Sequence, residues 1–131
     1  MTERELEVRR EIFEAFAATG DAPRVDDPEA LRALAERHVV VLDDADPAQI
    51  VMAHPFAAPG ADASVTADGR TWWGNCAWDA LGIVAALGLQ RATVQSGDVR
   101  LEIEGGRVVE EDVLFHVAVP AARWWEDIAF T

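Results

Sequence analysis

Apolar residues recur with a helical period at the start of the chain: Val8, Ile12 and Phe16 fall every four residues among charged neighbours. Thr2-Glu3-Arg4-Glu5 spells a capping box, and Gly20 supplies a stop, so the pattern predicts a helix from Glu3 to Ala18. Asp27-Pro28-Glu29 has the order of an N-cap, a first-turn proline and an acidic residue at the positive end of the dipole. With Leu31, Leu34 and Ala35 on one face, a second helix is expected over Pro28–Arg37. The β-branched run Val39–Leu42, a turn-rich stretch and the apolar segment Gln49–Ala53 then read as a hairpin. Two helices followed by a hairpin predict a small winged-helix-like lobe over residues 1–54.

Residues 55–63 hold two prolines, a glycine and four alanines without either period, and are expected to be an extended linker. Residues 64–131 form the second predicted lobe. Ser64–Ala67 and Arg70–Trp73 flank Asp68-Gly69, a dipeptide suited to a type I′ turn. Beyond them an almost wholly apolar segment from Cys76 to Leu87 predicts a buried central helix, with Asn75 as its N-cap and Gly88 as its stop. Four strand-like pieces follow: Ala92–Gln95, Val99–Ile103, Arg107–Val109 after the Gly105-Gly106 turn, and Val113–Val119. The expected fold class is α+β, a central helix packed on an antiparallel sheet behind the small helical lobe.

Composition narrows the function classes. The chain has 131 residues, 11 basic and 24 acidic, for a net charge of −13, which opposes non-specific approach to a nucleic-acid backbone. Apolar runs stay far short of a membrane span, and the charged N-terminus has no apolar stretch behind it. One cysteine permits no internal disulfide, so a reducing, cytoplasmic setting is expected.

The segment from Trp72 to Gly82 concentrates the candidate chemistry: Trp72, Trp73, Asn75, Cys76, Trp78 and Asp79 lie within eight positions. A cysteine in the first turn of a helix meets free amide donors and the positive dipole end, which favours the thiolate, a nucleophile and soft-metal ligand. Asp79, three residues on, shares its helix face, so a sulfur and a carboxyl can converge on one ligand. In a tryptophan-lined apolar pocket that carboxyl is expected to carry a proton and donate it. The plainer alternative stays open beside it: a buried core cysteine and an aspartate that merely meets the dipole. His38, His54 and His116 show no metal-ligand spacing and are read as turn or strand-flank residues. Ser64 and Ser96 stand in no nucleophile elbow, and no phosphate loop or Cys-x-x-Cys pair occurs. Trp124 and Trp125 read as core or pocket wall.

Trp73-Gly74-Asn75-Cys76-Ala77-Trp78-Asp79-Ala80-Leu81 resembles the alkylmercury (organomercurial) lyase family, as do His54-Pro55-Phe56 before it and Val117–Pro120 with Trp124-Trp125 after it. The resemblance implies cleavage of organomercurials to Hg(II) and a hydrocarbon, with no organic cofactor. Cys76 would be the thiolate that takes the organomercurial, and Asp79 the carboxyl that protonates the departing carbon and contacts the metal. Trp72, Trp73, Asn75, Trp78, Trp124 and Trp125 would surround a small organometallic or apolar ligand. It also implies a second cysteine after the acidic-aromatic segment Trp124–Phe130, at Thr131 or beyond, and a cysteine-bearing loop that is reduced here to Gln95–Asp98. Three other readings stand beside it: a non-catalytic relative binding a soft metal or small apolar ligand, a lyase or transferase acting on an organic substrate, and a DNA-binding regulator built on Arg24, Arg32 and Arg37.

Overall fold

The computed structural model describes residues 1–129. Helix α1 spans Glu3–Thr19, and its capping box is complete: the Glu5 amide donates to Thr2 Oγ1 at 3.2 Å and the Thr2 amide donates to Glu5 Oε2 at 3.0 Å. Its end is set by Gly20 in the left-handed region, φ 78°. A Cβ there would lie 2.2 Å from the Thr71 carbonyl oxygen, so glycine also permits the close approach of this helix end to the sheet. Helix α2 spans Pro28–Glu36, with the Ala30 amide donating to Asp27 Oδ1 at 3.0 Å, as the Asp-Pro-Glu order predicts. It ends with His38 at φ 58° and backbone bonds from His38 to Ala35 and from Val39 to Leu34, a Schellman closure in which a histidine takes the usual glycine position.

Strands β1 (Val41–Leu42), β2 (Ile50–Ala53), β3 (Phe56–Ala57), β4 (Ala63–Ala67), β5 (Arg70–Gly74), β6 (Arg91–Ser96), β7 (Val99–Glu104) and β8 (Arg107–Val108) form one antiparallel sheet. Their order is β1-β2-β3-β5-β4-β6-β7-β8. Helix α3 (Ala77–Ala86) sits between β5 and β6 in the chain and closes at Gly88, φ 62°, as expected. The fold is α+β. Asp68 and Gly69, at φ 50° and 76°, make the predicted tight turn, and Gly105 and Gly106 make the β7–β8 turn with φ 59° and 73°.

Two expectations about the frame need correction. Residues 55–63 are not a bare connector: they carry β3 and the first residue of β4, and β3 pairs with both β2 and β5. The hairpin of the first lobe is thereby joined to the main sheet, and a continuous buried core runs from Val8 and Phe16 through Phe56 to Leu101 and Ile103. Phe56 is the link, stacked on Phe16 at 5.5 Å and edge-on to Phe13 at 6.4 Å. Val113–Val119, expected as a strand, forms none. Val109 still donates to the Glu102 carbonyl, but the Glu102 amide is taken at 3.1 Å by both carboxyl oxygens of Glu110, and the ladder stops there. The chain then passes over the surface to a 3-10 helix at Ala121–Glu126.

The sheet alternation places Trp72 with Val65 on the face that meets the helices, and Trp73 with Ser64 on the other. Gly74 shares the helix-facing side. A Cβ there would stand 3.0 Å from the Ala80 nitrogen and the Asp79 Cβ, so the end of β5 lies directly against the first turn of α3.

Candidate active site

Strand β5 ends at Gly74, and the next two residues turn the chain into α3. Cys76, not Asn75, is the N-cap: its backbone is extended (φ −147°, ψ 176°) and its carbonyl accepts from the Ala80 amide at 3.0 Å. Asn75 is occupied elsewhere, its side-chain amide donating to the Ile128 carbonyl at 3.0 Å. The expected cap therefore ties the C-terminal segment to the helix start.

The half-buried Cys76 thiol donates to Asp79 Oδ2 across 3.8 Å, so the three-residue spacing brings the pair together as expected. The thiol's acidity departs from expectation. Burial pushes the Cys76 pKa above the ordinary 9.0, and the nearby Asp79 carboxylate pushes it further, while the amides of Asp79 and Trp78 pull the other way without prevailing. At neutral pH Cys76 is a thiol beside the Asp79 carboxyl.

His54 completes the cluster. It occupies the β2–β3 turn, ahead of a cis His54–Pro55 peptide, and its Nδ1 lies 3.5 Å from Asp79 Oδ2. Its Nε2 is buried and has no hydrogen-bond partner among the described residues. His54 lacks metal-ligand spacing to any other residue and reads from the sequence as a turn or strand-flank residue, which it is; the sheet, by joining β3 to β5, brings it beside Asp79.

The aromatic residues divide. Trp125 belongs with the cluster, stacked on His38 at 4.0 Å and edge-on to His54 at 5.9 Å. Trp124 is turned to its own segment, its indole N–H donating to the Val119 carbonyl at 2.7 Å. Trp72 is a core residue, 5% exposed, whose indole N–H donates to the Ala17 carbonyl at 3.0 Å and anchors the end of α1. Trp73 lies on the sheet face away from α3. Trp78 is 64% exposed and meets Phe115 edge-on at 5.6 Å. Of the six residues expected around a ligand, Trp125 alone is in ring contact with a member of the Cys76–Asp79–His54 group among the described residues.

An open cleft of about 520 Å³, lined by Asp21–Arg24, Asp46, Ala48–Ile50 and Ala58-Pro59, contains none of these side chains. Among the described residues no group of three or more acidic, histidine or cysteine side chains has the geometry to hold a metal ion, and no helix is long and apolar enough to cross a membrane. His116 and the serines take no part in the cluster. Arg37 of the basic trio lies 3.7 Å from Glu5 and ties α2 to α1. Thr131, where the resemblance places a second cysteine, and Phe130 lie outside the described residues.

No curated protein and no solved structure matches the chain. The family model described as alkylmercury lyase matches residues 56–131, from β3 through α3 to the C-terminal segment. That span is more than half of the chain and contains both Cys76 and Asp79. The chain therefore belongs to the alkylmercury lyase family.

Proposed function

We propose that this protein cleaves the carbon–mercury bond of small organomercurials by protonolysis, with Cys76 as nucleophile and metal ligand and Asp79 as proton carrier. The observation that carries the reading is the thiol of Cys76 donating to Asp79 Oδ2 at 3.8 Å in a half-buried position. A thiol held protonated by burial and by a carboxylate brings its own proton to the reaction. When Sγ bonds to the mercury of R–Hg–X, the S–H proton passes to Asp79. The carboxylic acid then protonates the carbon as the carbon–mercury bond breaks, releasing R–H and leaving Hg–X on sulfur. One proton enters with the thiol and one leaves with the hydrocarbon, so the step balances without a redox partner. Sulfur suits the metal because both are soft, and the carboxyl oxygen reaches the same centre.

The partner in this reading is a small organometallic molecule, with Trp125, edge-on to His54, as an aromatic wall. Native mass spectrometry with a stoichiometric phenylmercury salt tests it. The parent should form a phenylmercury adduct that loses benzene and leaves protein plus Hg. Asp79→Asn should form the adduct and retain the phenyl group, and Cys76→Ser should form none. An adduct that persists on the parent would replace this reading with that of a non-catalytic relative that binds soft metals.

A further inference from the structure

His54 lies outside the stretch that the family model matches, yet its Nδ1 stands closer to Asp79 Oδ2 than the Cys76 sulfur does, 3.5 Å against 3.8 Å. Three contacts hold it there. Phe56, two residues on, is clamped by Phe13 and Phe16 of α1. Pro55 lies against Gly82 of α3, where an added Cβ would stand 3.1 Å from the proline Cβ, and Gly82 follows Asp79 by three residues on the same helix face. Trp125 meets the imidazole edge-on from the third side.

The ring's two nitrogens have unlike surroundings, and that selects a tautomer. With the proton on Nε2, a buried N–H would lack an acceptor among the described residues and the bare Nδ1 would face a carboxylate oxygen lone pair to lone pair. With the proton on Nδ1, the N–H lies beside a carboxylate oxygen at 3.5 Å and only a lone pair is left unmatched. We infer that His54 is a positioning residue for Asp79: its Nδ1–H holds the carboxyl so that Oδ2 stands between the Cys76 thiol and the carbon to be protonated. This inference rests on the protonolysis reading. It assigns His54 no contact with the substrate; a carboxyl free to rotate accepts the thiol proton but returns it to carbon less often.

Single-turnover kinetics with a phenylmercury salt separate the two steps, adduct formation and benzene release. His54→Leu should slow release roughly 10- to 100-fold while adduct formation stays within about twofold. His54→Asn, whose amide nitrogen occupies the place of Nδ1, should recover most of the release rate. Gly82→Ala, which displaces Pro55, should reproduce the split in milder form. In parallel, long-range ¹H–¹⁵N correlation spectra of the parent should show His54 protonated on Nδ1 and bare on Nε2. Release unchanged in His54→Leu, adduct formation and release falling together with no recovery in His54→Asn, or a ring protonated on Nε2 would each overturn the inference. A parent that carries the Nδ1 proton but releases no benzene overturns the protonolysis reading while upholding the His54–Asp79 contact.

Discussion

At Cys76 three effects compete, and their balance decides what the site brings to a reaction. Amides at the start of α3 favour a thiolate, but removal from water and the Asp79 carboxylate favour the thiol, and the latter pair prevails. The consequence is measurable without any mercury compound. The alkylation rate of Cys76 by iodoacetamide should rise with pH along a curve displaced above that of an ordinary thiol. Asp79→Asn should move the curve down, because a neutral amide no longer repels the developing thiolate. A curve that moves up, or lies below the ordinary value in the parent, would contradict this account. The pairing itself was legible in the sequence, since a separation of three residues on a helix puts both side chains on one face. The ionisation state was not, because it depends on how much water the folded chain removes from the sulfur.

At the scale of elements, the stops and caps were largely written in the sequence. Gly20 and Gly88 end their helices in left-handed backbone, and Asp27 caps α2. Asp27 also predicts a pH response. The Ala30 amide, and after it the Arg4 guanidinium at 2.8 Å, hold the Asp27 carboxyl below its usual 3.8. A carboxyl depressed in the folded state gives up its proton more readily there than in the unfolded chain. Its contribution is therefore complete above the unfolded value and is lost as pH falls through the folded one. Asp27→Ala should lower the thermal midpoint at neutral pH, and the gap from the parent should narrow as pH falls below the ordinary carboxyl value of 3.8. Where the local signal failed, a tertiary bond had intervened: Asn75 is a fair cap by composition, but its amide is engaged with Ile128, and the cap falls to Cys76. Val113–Val119 is apolar and rich in β-branched residues, as a buried strand is, but the β7–β8 ladder has already ended before it, where the Glu110 carboxyl takes the Glu102 amide.

Across the whole molecule, the described C-terminal residues meet the helix side through side-chain contacts. Trp78 meets Phe115, Asn75 holds Ile128, and Trp125 rests on His38 and His54. Leu114 and Val117 remain exposed. A segment held by side chains rather than by a backbone ladder opens at lower free energy than the sheet does. Trp125→Ala should therefore raise amide exchange across residues 110–129 by roughly tenfold, the loss of about 1.4 kcal/mol of local stability. Exchange in β4, β6 and β7 should stay unchanged; equal acceleration there would mean that the segment supports the global fold.

Local chemistry and periodicity were enough to determine the elements that depend on neighbours a few residues away: α1 and α2 with their caps, α3 with its stop, the two tight turns and the Cys76–Asp79 pair. Each is settled by helical or hairpin geometry that a short stretch of chain carries with it. Tertiary structure decided everything that needed a partner distant in sequence. It joined β3 to β5 and so carried His54 to Asp79, turned Trp72 into the core beneath α1, sent Trp73 to the opposite face, and set Trp125 over the site. The alternation of a strand tells which residues share a face but not which face is buried, and that choice belongs to the helices that cover it.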